Sequence, residues 1–159
     1  MKNCEWNEID YKGVSHSWPG ARYPSAKPSH LYLVTASELQ DLRAALTRGH
    51  LPLDFEAKLG RLANGDLRLR SIEKNCRIII GLLQANLDGA FRQVSPEERE
   101  RLLRVLAYVR KDDDAVSDWL ADGFVDDQQE LQHVTATLNP TLQEFKAWRL
   151  RCQVPAMWR

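Results

Sequence analysis

Between residues 112 and 130 the sequence DDDAVSDWLADGFVDDQQE carries eight acidic side chains and no basic one. Carboxylate oxygens suit hard cations such as Mg²⁺ or Ca²⁺. If Asp118, Asp126 and Asp127 converge on such an ion, the chemistry is that of a metal-dependent hydrolase, with water activated at an open coordination position. The spacing is not that of an EF-hand: counting from Asp112, the fifth position is Val116 and the sixth is Ser117 instead of glycine. The same stretch also suits a binding surface, on which Asp114, Asp118, Trp119, Asp122, Phe124, Asp126 and Asp127 offer charge and aromatic area to another protein. A third use is structural. Aspartates near a helix start are stabilised by its dipole, by about 0.3–1 kcal/mol each, and Arg104, Arg110, Lys111, Arg149 and Arg151 are available to pair with them.

The spacing also constrains the backbone. Asp114, Asp118, Asp122 and Asp126 recur every fourth residue, which in one helix would stack like charges on a single face. Each such pair costs an isolated helix about 0.2–0.5 kcal/mol. Gly123 and the turn-forming aspartates therefore favour a loop joining two helices. Val116, Trp119, Leu120, Phe124 and Val125 interrupt the charges regularly, as a loop pinned to a core requires.

At these residues the chain resembles a known family. Asp114-Ala115-Val116-Ser117-Asp118, followed by Gly123-Phe124-Val125-Asp126-Asp127, looks like the signature of YkvA-like domains. That signature reads roughly D-x-[IV]-P-D, a short proline-containing spacer, then G-[YF]-x-D-D, and Tyr108 fits the aromatic that tends to precede it. Ser117 and Ala121 stand where the family usually has proline, and the spacer is shorter. Many family members are more apolar around the motif, as membrane-associated helices. The resemblance implies a small helical domain with a hairpin around the acidic loop. It supplies no reaction.

Other chemistries lack their residues. No GxxxxGK[ST] phosphate loop is present, since the glycines at 60 and 65 are not followed by lysine. There is no GxSxG elbow. His16, His30, His50 and His133 are scattered, without an HExxH partner. His133 follows Asp126, Asp127 and Glu130 at helical spacing and reads as an ordinary half-exposed histidine. No catalytic residue, metal ligand or cofactor is assigned.

The chain of 159 residues has 22 basic and 22 acidic side chains, so no global basic field draws nucleic acid or anionic lipid. Its apolar fraction of 43% is that of a globular protein. Cys4, Cys76 and Cys152 are an odd number at wide spacing, which fits neither a disulfide framework nor a CxxC metal pair. Residues 1–29 contain no apolar run of the secretory type, and a reducing cytoplasm is the expected setting.

The elements that must position the acidic stretch are helical. Residues 71–91 place Ile72, Cys76, Ile78, Ile79, Ile80, Leu82, Leu83, Leu87 and Phe91 over more than half a helix circumference, where an ordinary surface helix shows an apolar stripe about 100° wide. This predicts a central helix, too charged to span a bilayer. Thr35 with Glu38 forms a capping box, with Val34 stapled onto Leu39, and Leu39, Leu42 and Leu46 follow until Gly49. Phe55, Leu59 and Leu62 define a short second helix ending at Asn64-Gly65. Ser95, Pro96 and Glu98 open the best-signalled helix, and Leu102, Leu103, Leu106 and Val109 supply its buried face. Leu131, Val134 and Leu138 continue beyond the acidic loop until Asn139-Pro140, which caps a last helix bearing Leu142, Phe145, Trp148 and Leu150. Residues 30–34, HLYLV, read as a brief strand or an extended lead-in. Residues 1–29, with Trp6, Tyr11, Trp18 and Tyr23 among prolines and glycines, form an irregular aromatic arm.

The sequence therefore predicts an all-α protein: an arm over residues 1–29 and one domain of five or six helices over residues 30–159. Its expected role is a non-enzymatic interaction or accessory protein of bacterial style. The partner is another protein, bound through the acidic loop, with the arm either packed on its own domain or added to that binding surface. Nucleic acid is disfavoured, and no membrane span is expected. The alternative is the metal-dependent hydrolase.

Overall fold

Two capping boxes set the frame. The Thr35 hydroxyl accepts the Glu38 N–H at 3.2 Å while the Glu38 carboxylate accepts the Thr35 N–H at 2.7 Å. Ser95 and Glu98 repeat the exchange at 3.1 and 2.8 Å. Each box satisfies two backbone donors that a helix start leaves open. A computed structural model describes residues 30–112 and 123–153. Within them lie helices α1 (Ala36–Thr47), α2 (Leu53–Ala63), α3 (Leu67–Leu87), α4 (Pro96–Arg110), α5 (Val125–Thr137) and α6 (Asn139–Gln153), with no strand among the described residues. The predicted arm over residues 1–29 lies outside the described residues.

Helix α3 is the centre of the assembly and packs against all five other helices. Ile72, Cys76, Ile79, Leu82 and Leu83 are at most 1% exposed, as their wide apolar arc predicts. Its boundaries differ from the sequence reading. The helix starts at Leu67 because the Asp66 carboxylate accepts the Leu69 N–H at 3.0 Å. It stops before Phe91, because Gly89 takes φ +79°. The Gly89 N–H then donates to Asn86 O at 3.1 Å and the Ala90 N–H to Ala85 O at 2.9 Å. This is the paired bonding of a Schellman stop. Phe91 is buried all the same, in edge contact with Phe145 of α6 at 5.4 Å between ring centroids.

Two further boundaries are corrected. Residues His30–Leu33 form a 3-10 turn, not a strand. With no neighbouring strand among the described residues to pair with, the backbone bonds locally, Val34 N–H to Leu31 O at 3.2 Å. Leu31 and Leu33 then pack on the core. Asn139 is the first residue of α6 and not its cap, since only Leu138 separates α5 from α6.

Candidate functional site

The acidic stretch joins α4 to α5, and the structure describes both of its ends. Three consecutive residues at the end of α4 reach three directions. Arg110 donates to Asp54 of α2 at 2.9 Å and to Asp41 of α1 at 2.6 Å. Lys111 donates to Leu33 O at 3.0 Å and lies 3.2 Å from Glu38. Asp112 accepts from Arg61 at 3.3 Å. These ties fix where the segment leaves the bundle.

At the other end, Asp126 and Asp127 lie inside the first turn of α5. Phe124 precedes the helix as its N-cap residue without a side-chain cap bond. The aspartates do not cap the helix with their own side chains, but they sit where its dipole favours negative charge. Both face inward, 3% and 0% exposed. The hydroxyl of buried Tyr108 donates to Asp126 Oδ2 at 2.6 Å. Lys58 of α2, 1% exposed, points its Nζ at Asp127 Oδ2 across 3.4 Å. The same ammonium donates to Lys111 O at 2.6 Å, lies 3.7 Å from Asp112 Oδ1 and stands 5.6 Å from the centre of the half-buried Phe124 ring. One buried cation therefore touches residues at both ends of the acidic stretch.

The network continues along α5. Glu130, also buried, accepts the His30 backbone N–H at 2.6 Å, and its oxygen lies 3.7 Å from His30 Nδ1. The His30 ring stacks on Tyr108 at 6.3 Å between centroids and 15° between planes. Cys76 is buried nearby. Burial pushes its thiol well above the usual range and the Asp127 charge adds to the effect, so the thiolate that nucleophilic chemistry requires is disfavoured.

The structure thus separates the residues singled out in the sequence. Asp126 and Asp127 belong to the interior and are not surface contacts, because Lys58 and Tyr108 hold them there. Asp114, Asp118, Trp119 and Asp122 lie outside the described residues. Of the five basic residues expected to pair with the loop aspartates, three hold other acids: Arg104 pairs with Glu100 at 2.7 Å, Arg110 with Asp41 and Asp54, and Lys111 with Glu38. His133 is exposed and does not join the buried acids. Lys58 was missed in the sequence. Its signal was its position on the apolar face, three residues after Phe55 and four before Leu62, where a lysine needs an internal anion.

Carboxylates brought together around a cation are what this geometry provides, and the cation is an ammonium. Among the described residues no three His, Cys, Asp or Glu side chains gather as metal ligands. Comparison with known proteins finds no matching family model, no matching curated protein and no matching solved structure. The described residues form an all-α domain with a buried ion pair between α2 and α5. Among the described residues no helix is long and apolar enough to cross a membrane.

Proposed function

We propose that this chain is a non-enzymatic interaction or accessory protein, in which the acidic stretch between α4 and α5 binds a protein partner of basic character. The observation that carries this reading is Lys58, whose ammonium contacts Lys111 O, Asp112 and Asp127. Segment ends held this way lose less conformational entropy on binding, which favours affinity. The internal acids are consumed by the framework, and Asp114, Asp118 and Asp122, with Trp119, are the side chains assigned to the partner. Resemblance to YkvA-like domains belongs to the same proposal. Tyr108 and Asp126, two of the residues that carry it, are hydrogen-bonded partners here.

The test is a tryptophan-fluorescence titration with an oligolysine peptide as probe. Asp114→Asn, Asp118→Asn and Asp122→Asn together should leave the melting temperature unchanged and weaken binding, most at low salt where charge steering is strongest. Equal binding by wild type and variant overturns the reading. Millimolar Mg²⁺ or Ca²⁺ should leave the melting temperature unmoved. A ligand at a hundredfold excess over its Kd adds about 2.7 kcal/mol, and a rise of that order would instead favour a metal-dependent hydrolase.

A further inference from the structure

The buried acids of α5 hold two separate parts of the chain. Glu130 holds the backbone of His30, where the 3-10 turn begins. Asp127, one helical turn earlier, faces Lys58, which grips the carbonyl of Lys111 at the end of α4. Asp126, next to Asp127 on the same turn, is bonded to Tyr108, on whose ring His30 stacks. All three carboxylates stand on the first two turns of one helix, so a displacement of those turns moves both seats. Packed polar networks of this kind move between discrete arrangements, because a half-made buried network is costlier than a closed or an open one.

We propose that the first two turns of α5 act as a latch that couples the His30 turn to the end of α4, so that the two seats open together as one unit below the threshold of global unfolding. The inference concerns the framework and goes beyond the binding reading. It would let a partner at the acidic stretch alter the chain at His30.

Amide hydrogen exchange on the full chain, without any partner, tests the latch alone, so its failure leaves the binding reading standing. The Val34 N–H, bonded to Leu31 O, reports the His30 turn, and the Lys111 N–H, bonded to Tyr108 O, reports the end of α4. Leu83, fully buried in the C-terminal part of α3, reports global opening. Lys58→Met should speed exchange at Val34 as well as Lys111, each by about tenfold or more and in parallel, with both amides still faster than Leu83, which the lower global stability of the variant also speeds. Tyr108→Phe, which removes one hydroxyl and keeps the ring, should do the same and serves where Lys58→Met does not fold. Faster exchange at Lys111 with Val34 unchanged overturns the proposal. Exchange at Val34 and Lys111 as slow as at Leu83 in the wild type also overturns it, because the domain would then open only as a whole.

Discussion

Tyr108 and Asp126 lie 18 residues apart in the chain, and the phenol of one donates to the carboxylate of the other at 2.6 Å in a fully buried setting. This bond spans the acidic stretch and sets α5 against α4. Removing the donor leaves part of the solvation cost of Asp126 uncompensated. Tyr108→Phe should therefore lower stability by about 1–3 kcal/mol, seen as a lower urea midpoint with an unchanged slope. An unmoved midpoint would mean that the hydroxyl contributes nothing.

Lys58 and Asp127 are each at most 1% exposed, and breaking such a pair from one side leaves the other charge buried with its closest opposite charge removed. Lys58→Met and Asp127→Leu should each lose about 3–5 kcal/mol, and the double variant should recover much of that loss. A double-mutant cycle by chemical denaturation reads the coupling. Simple additivity of the two losses would contradict the pairing.

Ile79 is fully buried at the centre of α3. Ile79→Ala should cost about 2–5 kcal/mol from lost transfer energy and the cavity left behind. A loss under about half a kcal/mol, outside the usual range for such truncations, would be inconsistent with its central place.

Glu98 links two helices at their starts. The Thr141 hydroxyl donates to its carboxylate at 2.6 Å. That bond, with the Ser95 N–H, holds the Glu98 carboxyl below its ordinary value of 4.5 despite partial burial. A folded-state value below the unfolded one gives stability that is present above pH 4.5 and is lost as pH falls through the folded value. Thr141→Val should accordingly flatten the acid limb of the stability profile. Ser95→Ala should lower stability by around 1 kcal/mol through the lost cap, measured at neutral pH by thermal unfolding.

Gly89 has φ +79° and open space where a side chain would project. Gly89→Ala should thus cost about 1–2 kcal/mol from backbone strain alone, with no change in packing. A neutral result in denaturant unfolding would show that the turn can relax.

The helices were legible where local chemistry decides them. Thr35 with Glu38 and Ser95 with Glu98 are short-range signals, and the wide apolar arc of α3 announced its central place. The 3-10 turn was not legible, because HLYLV satisfies strand and turn patterns alike and only long-range context, with no pairing strand among the described residues, chooses between them. Asp126 and Asp127 were recognised as special but assigned to the surface. Their burial depends on Lys58, which stands 69 residues from Asp127. Nothing within either segment reveals that meeting. Glu130 and His30, 100 residues apart, were hidden for the same reason.

Arg110, Lys111 and Asp112, three neighbours tied to three different directions, act as a ruler on the length of α4. One residue inserted ahead of Arg110 would turn each following side chain by about 100° around the helix axis and advance it about 1.5 Å. Arg110 would leave Asp41 and Asp54, Lys111 would leave Leu33, and Asp112 would leave Arg61, all at once. Insertions and deletions in related chains should therefore fall outside α4 and this triplet, and engineered fusions into the acidic stretch should leave these three residues in register with the helix before them.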